Sequence, residues 1–346
     1  MYAVAFGAAF VLSLVLTPLA RVLAARFDVL DHPGGYKCQT RPIPYLGGAA
    51  IAASVVAAVA AAGLVGPGPT WGQATAILGL SAVLAVVGLA DDVRSLPPLP
   101  RLIAQIVAAL VVILVGTRVQ LFDSAVVEVA LTMIWVVGIT NGLNLLDNMD
   151  GLAGGVGAVA AFWLFVMAAG NGQFLVAALT AALFGAAVGF LRYNVHPATI
   201  YMGDTGSLFL GFLLAVAAIR LRFDAPIEYT WPVPVVALGV PLLDTSYVTV
   251  TRLMAGRNPL SGGRDHISHR LVALGLSVRG AVLFHYLAAF VFGFLAWVVS
   301  RTADGTAYLI VGSAFGVCLL ALARLDRLTS SAVEVASGHA VQEETG

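Results

Sequence analysis

Ala82-Val83-Leu84-Ala85-Val86-Val87-Gly88-Leu89-Ala90-Asp91-Asp92 decides the fold class. It ends an apolar stretch that begins near residue 73, and it closes on two adjacent carboxylates. The figure recurs. Asn141-Gly142-Leu143-Asn144-Leu145-Leu146-Asp147-Asn148-Met149-Asp150-Gly151 follows another apolar run, and Tyr201-Met202-Gly203-Asp204-Thr205-Gly206-Ser207 lies between two more. Carboxylates at membrane depth are costly and mark functional paths or sites. Several of them facing one aqueous boundary, with basic residues nearby, point to a divalent cation and a phosphorylated ligand.

Of the 346 residues, 60% are hydrophobic and 10% charged. With a mean hydropathy of +0.95, an ordinary soluble domain is excluded. Net charge is zero, which argues against nucleic-acid binding, since that needs a basic face. Cys38 and Cys318 belong to no Cys/His cluster, so neither a disulfide framework nor a zinc site is expected. The first apolar run lacks a basic n-region and reads as a retained helix.

Eleven apolar spans follow, near 2–25, 46–66, 73–90, 101–116, 126–140, 155–170, 174–191, 207–222, 231–253, 279–300 and 306–323. The expectation is an all-α polytopic membrane protein with a single catalytic domain over 1–327 and a polar, disordered tail over 328–346. With the N-terminus outside, fourteen of the eighteen Lys and Arg fall on the cytoplasmic side, leaving Arg118, Arg220, Arg222 and Arg301 outside. The C-terminus is then cytoplasmic. Every polar cluster lands on that same side, whereas a transporter keeps its polar site near the midplane on interrupted helices. One polar face favours an enzyme joining a water-soluble substrate to a lipid.

Each cluster has a plainer reading beside its chemical one. Asp91 and Asp92 project ~100° apart on a helix, so one can bind a cation while the other positions a nucleophile, or both can simply be solvated. Asn141, Asn144, Asp147 and Asp150 are each three apart, which on a helix makes one polar stripe; Asp150 or Asn148 alone could instead cap the next helix. Asp204 suits a metal, the Thr205–Ser207 amides a phosphate and Tyr201 a base, against a Gly-rich turn with an N-cap. Arg257–Arg270 holds three arginines and two histidines; arginine forks match phosphate oxygens, but a positive-inside loop explains some of them. The first loop, Asp31–Gly48, carries Lys37 and Arg41.

Together these segments resemble the polyprenyl-phosphate N-acetylhexosamine-1-phosphate transferases. Asp91-Asp92 matches the acidic pair, Arg101-Leu-Ile-Ala-Gln105 the following basic-x-x-x-Gln, and Asn141–Leu152 the Asn-x-x-Asn-Leu-x-Asp-Gly-x-Asp-Gly-Leu segment, with Asn148 for a usual Gly. Pro197–Gly211 matches a Met-Gly-Asp-x-Gly-Ser segment, with Tyr201 for Phe, and His266–Leu271 matches His-x-His-His-Arg-Leu, with Ser268 for the middle His. The first loop departs from the usual Arg-Lys-x-His. The sugar-1-phosphate initiator branch is nearer than the phospho-N-acetylmuramoyl-pentapeptide branch, and a cation-coupled transporter is the remaining alternative.

The resemblance implies attack of a polyprenyl phosphate, such as undecaprenyl phosphate, on a UDP-N-acetylhexosamine, with Mg²⁺ (or Mn²⁺) as cofactor and UMP as product. It implies Asp204 and Asn144 as metal ligands, and Asp91 and Asp92 positioning the lipid phosphate. Lys37, Arg101, Asn141, Asp147, Asp150, Tyr201, Arg264, His266, His269 and Arg270 would bind substrate. It further implies a bacterial plasma (inner) membrane enzyme of cell-wall or lipopolysaccharide biogenesis with a cytoplasmic site. A homodimer is common in the family, but no residue here specifies one.

Overall fold

The computed structural model describes residues 1–33, 41–65, 71–258 and 263–344; Lys37 lies outside them. The chain is helical because a backbone in lipid must satisfy its polar groups internally. In order run α1 (Tyr2–Arg26), the two-residue strands β1 (Leu30–Asp31) and β2 (Ile43–Pro44), α2 (Gly47–Val65), α3 (Trp71–Arg94), α4 (Pro98–Leu114), α5 (Ala125–Leu146), α6 (Leu152–Gly170), α7 (Phe174–Asn194) and α8 (Gly203–Arg220). Then come α9 (Ile227–Thr230), α10 (Pro232–Ala237), α11 (Gly239–Met254), α12 (Ile267–Ala273), α13 (Val278–Val299) and α14 (Thr306–Glu344). Among the described residues, nine helices are long and apolar enough to cross a membrane, or ten if one bent pair is counted; α4 is apolar but shorter.

Four boundaries differ from the sequence reading, each for a local reason. The expected straight span at 231–253 is broken: the segment before Leu238 and α11 meet at 71°. Pro232, Pro234 and Pro241 lack the N–H that would continue the ladder. Next, α5 runs on to Leu146, and Asp147 then leaves helical geometry (φ −78°, ψ 47°), so Asn141 and Asn144 lie on the helix while Asp150 lies in the turn beyond. The expected stripe of four is thus two on a helix and two past its end. Then α8 begins at Gly203, which puts Asp204 in its first turn, where a helix favours negative charge. Finally, α14 continues to Glu344, into the polar stretch read as a tail; that stretch contains no proline to stop a helix.

The most enclosed of the long helices is α8, with 89% of its apolar segment buried, against 6% for α14. It packs on α2, α3, α5, α6 and α7. Close approach to α3 depends on Gly88: a Cβ there would collide with the Asp204 carbonyl and the Thr205 nitrogen. That contact brings the acidic end of α3 to the first turn of α8. The same end of the bundle gathers the start of α4, the ends of α5 and α7, and α12. The arginines expected on the other side lie at the opposite end. Arg118 pairs with Glu128 at 3.3 Å, and Arg220 donates to Thr117 and Gln73 at 2.7 Å each.

This arrangement is checked by thiol labelling in a Cys38→Ser, Cys318→Ser background. Arg257→Cys, beyond α11, reacts with a membrane-impermeant reagent from the site side only. Gly305→Cys, where an added side chain meets open space, reacts from the other side only. Labelling of both from one side contradicts the fold.

Candidate active site

Asp204 is the centre of the polar cluster. Its Oδ1 accepts from Asn144 Nδ2 at 2.8 Å, and its Oδ2 accepts from Arg101 Nη1. The same guanidinium nitrogen reaches Asp91 Oδ2 at 2.8 Å. Asn144 Nδ2 also donates to Ser207 Oγ at 2.9 Å, so both polar atoms of the α8 first turn grip the end of α5. Four helices thereby bring Asp91, Arg101, Asn144 and Asp204 together, all four among the residues singled out from the sequence.

Asp92 does something else. Its Oδ1 accepts from Asp204 N at 2.8 Å, and its Oδ2 from Thr205 N at 3.1 Å and Thr205 Oγ1 at 2.7 Å. It is an N-terminal cap for α8 supplied by a different helix, satisfying donors that have no intrahelical partner. The Thr205 amide expected to face a phosphate is therefore already taken. Gly203 has φ +67°, and a Cβ on it would sit 2.5 Å from Asp92 Oδ2, so the cap needs glycine twice over.

Other expected ligand-binding residues are also held by protein partners. Asn141 Nδ2 donates to Gln105 Oε1 at 2.5 Å and to Val137 O at 2.9 Å, which ties α5 to buried Gln105 on α4. Asp150 Oδ2 meets His196 Nδ1 at 2.7 Å and accepts from Ala198 N at 3.0 Å, bracing the chain between α7 and α8. Tyr201 N donates to Pro44 O at 2.7 Å, and its ring lies 6.0 Å from that of Tyr45, docking the first loop beside the site. Arg270 turns away to α14: Nη1 donates to Asp326 Oδ1 at 2.9 Å and Thr329 Oγ1 at 2.8 Å, and the guanidinium stacks 4.9 Å from the Tyr247 ring centre. It lines a polar cavity of about 350 Å³ with Arg252, Arg257, Asp265 and Asp326. An arginine spent on these contacts packs α12 and is not pointed at Asp204.

Asp147 remains available. Desolvation first, then the charges of Asp204, Asp92 and Asp150, push its carboxyl up to about 8. His269 is held below its ordinary value by desolvation, then by the neighbouring His266 and Arg264 charges; its ring lies 6.4 Å from His266. Arg264 is exposed just before α12.

Asp244 was not among the expected site residues. It is 1% exposed within α11. Its Oδ2 meets His266 Nδ1 at 2.7 Å, and its Oδ1 accepts from Ile267 N at 2.9 Å. It therefore starts α12 and fixes the imidazole, leaving Nε2 as the outward nitrogen. The rule that singled out Asp91, a carboxylate stranded in an apolar span, singles out Asp244 equally. Beside it, Arg252 grips Asp265 through Nε at 2.7 Å and Nη2 at 2.6 Å. That fork holds the Asp265 carboxyl below its ordinary range.

Residues 74–222 match the family model of glycosyl transferase family 4. Over 306 residues the chain is 34% identical to the probable undecaprenyl-phosphate N-acetylglucosaminyl 1-phosphate transferase of Bacillus subtilis, covering 86% of this chain and 84% of that one. It is 31% identical over 339 residues to the decaprenyl-phosphate N-acetylglucosaminephosphotransferase of Mycolicibacterium smegmatis, covering 88% and 83%. Similarity to a phospho-N-acetylmuramoyl-pentapeptide-transferase of Chlamydia trachomatis is 44% but spans 104 residues, 29% of this chain.

The capping geometry makes a stability prediction. Asp92→Ala strips the first turn of α8 of its acceptor and lowers stability by about 1–2 kcal/mol. Gly203→Ala forces a left-handed alanine against Asp92 and costs at least about 1–2 kcal/mol. Both appear as lowered unfolding midpoints in detergent; unchanged midpoints contradict a cap.

Proposed function

The chain belongs to glycosyl transferase family 4, and on that premise we propose that it transfers N-acetylhexosamine 1-phosphate, N-acetylglucosamine 1-phosphate first, from a UDP-sugar to a polyprenyl phosphate. An oxygen of the lipid phosphate attacks the β-phosphorus. The bond from that phosphorus to the bridging oxygen breaks, and UMP leaves with the electron pair. The nucleophile is already anionic at neutral pH, so no side chain is required to deprotonate it. The observation that carries the reading is the convergence of Asp91, Arg101, Asn144 and Asp204 at one end of the bundle. The comparisons favour it over the muramoyl-pentapeptide and transporter readings, since the similarity that covers more than four-fifths of both chains is to proteins named as N-acetylglucosamine-1-phosphate transferases.

In this reading the site end is cytoplasmic, the bundle crosses the plasma membrane eleven times with its N-terminus outside, and the product starts an envelope polysaccharide. Arg101, now shared between two carboxylates, turns to the diphosphate. His266, oriented by Asp244, and His269 face the donor from α12. Asp92 and Asp150 act as struts that keep Asp204 and the α5–α6 turn in place.

The donor set fits a hard divalent cation. Asp204 and the Asn144 side-chain oxygen would hold it, with the Asp147 carboxyl, raised by desolvation and then by the charges of Asp204, Asp92 and Asp150, beside them. Among the described residues no group of three or more His, Cys, Asp or Glu is arranged to hold an ion alone, so substrate phosphates and water would complete the shell, as magnesium prefers. Bound there, Mg²⁺ or Mn²⁺ would neutralise the diphosphate and the departing UMP.

Purified protein given UDP-N-acetylglucosamine, undecaprenyl phosphate and Mg²⁺ releases UMP, and excess chelator stops it. Asp204→Asn loses most turnover while its unfolding midpoint stays close to wild type. UMP release only from the muramoyl-pentapeptide donor, or full turnover in chelator, refutes the corresponding half of the proposal.

A pH dependence follows from Asp147. Below about pH 8 its carboxyl carries a proton that a neighbouring cation must displace. The Mg²⁺ concentration for half-saturation therefore falls as pH rises from 6.5 to 8 and levels off above, and calorimetry records proton release on binding. A flat profile in the wild type, or one unchanged in Asp147→Asn, contradicts this assignment.

A further inference from the structure

Two of the replacements that set this chain apart from the pattern it resembles, Asn148 and Ser268, touch each other. Ser268 is fully buried on α12, and its Oγ donates to Asn148 Oδ1 at 2.7 Å. Asn148 Nδ2 donates to Leu145 O at 2.8 Å, at the end of α5. One amide side chain thus ties the last turn of α5 to α12. On the α5 side it is flanked by Asp147 and, two residues on, by Asp150; on the α12 side the hydroxyl lies between His266 and His269.

We infer that the Asn148–Ser268 hydrogen bond is a specificity-determining latch for the sugar-nucleotide donor: it sets the separation between the turn bearing Asp147 and the helix bearing His266 and His269. This rests on the reading of the site as a UDP-sugar site. The other anchors nearby reach third elements: the Gly151 carbonyl accepts from Tyr286 Oη on α13 at 2.6 Å. Asp150 is tied to His196 on the α7–α8 connection, and His266 is tied to Asp244 on α11. The Asn148–Ser268 contact joins the turn and α12 directly. Bulk is also moved across it. A glycine opposite a histidine would place an imidazole on α12 over a bare turn; asparagine opposite serine puts the longer side chain on the turn and a short hydroxyl on the helix. Such reciprocal exchange fills similar space while changing which groups face the ligand. Asn148 and Ser268 are positioning residues, not catalytic ones.

The test compares full-length wild type with Ser268→Ala, Asn148→Ala, the double variant, and Asn148→Asp, which keeps the acceptor. Ser268→Ala raises KM for UDP-N-acetylglucosamine about tenfold, equal to about 1.4 kcal/mol. Its kcat changes less than about threefold, and KM for undecaprenyl phosphate is unmoved. Asn148→Asp keeps the acceptor for Ser268 but loses the bond to Leu145 O and adds a charge beside Asp147, so its donor KM lies between those of wild type and Asn148→Ala. The double variant is no worse than the worse single, because both singles break one bond. Additive losses, a shift in the lipid KM instead of the donor KM, or unchanged donor KM in Ser268→Ala overturn the latch. A wild type that releases no UMP from UDP-N-acetylglucosamine overturns instead the activity on which it rests. Amide exchange over residues 147–151 separates the cases: faster exchange in Ser268→Ala shows that the bond holds the turn, whatever the donor.

Discussion

The first turn of α8 presents three donors, Asp204 N, Thr205 N and Thr205 Oγ1, to the single carboxylate of Asp92. Helix starts leave N–H groups unpaired and carry partial positive charge, so a carboxylate there answers a hydrogen-bonding and an electrostatic need together. In a bundle with little water the need is sharper, because an unpaired donor has no solvent to fall back on. The contact joins α3 to the most enclosed long helix of the fold. From it follows where Asp204 points, and hence where Arg101 and Asn144 must come to meet it. Gly88 and Gly203 are glycines because this approach leaves no room for a side chain.

The same scarcity of water explains why so many polar residues near the site are engaged with one another. Asn141 holds Gln105, Asp150 holds His196, Asp244 holds His266, Arg252 holds Asp265 and Arg270 holds Asp326. The pairs give partners to buried groups such as Gln105, Asp244, His266 and Arg252, and each joins residues on different elements. A site of this kind needs supports as well as contact residues, since a ligand-binding group is only as well placed as the residue that orients it. Removing a support can therefore mimic removal of a contact residue in an activity assay. Stability and the split between kcat and KM are what tell the two apart.

Much of this was legible in the sequence. Hydropathy reports how much lipid a segment can span, and the helices fall where the apolar runs lie. The spacing of Asn141 and Asn144 does place both on one helix, and the stranded carboxylates Asp91, Asp147 and Asp204 do lie at one end of the bundle. Partnership was harder. Asp92 and Asp204 are 112 positions apart, and Asn148 and Ser268 are 120 apart; no local period encodes such pairings. Arg270 was read as a phosphate ligand because an arginine in a polar loop looks alike whether it meets a ligand or Asp326. Asp244 escaped notice because it lies mid-span, away from any cluster, although its burial makes it as costly as the others.

Charge balance bears most directly on the chemistry. Asp91, Asp92, Asp147, Asp150 and Asp204 gather at one end of the fold, where Arg101 pairs with Asp91 and Asp204, and His196 with Asp150. Asp92 is offset by the start of α8, and Asp150 by its histidine and the Ala198 amide. Asp91 and Asp204 share a single guanidinium, and the Asp147 carboxyl is pushed up to about 8 by desolvation first and by the Asp204, Asp92 and Asp150 charges after it. The proposed reaction brings a diphosphate and a phosphate, both anionic, into these surroundings. Were Arg101 the sole counter-charge, each anion would compete with Asp91 and Asp204 for it, and repulsion would rise as the substrates approached. On the proposed function, a divalent cation held by Asp204 and Asn144 would reverse that sign, and Arg101 would then be free to turn to the phosphates. If the proposed reaction is the one this end of the fold carries out, its surplus of carboxylates is the physical reason a metal ion would have to accompany the two anionic substrates.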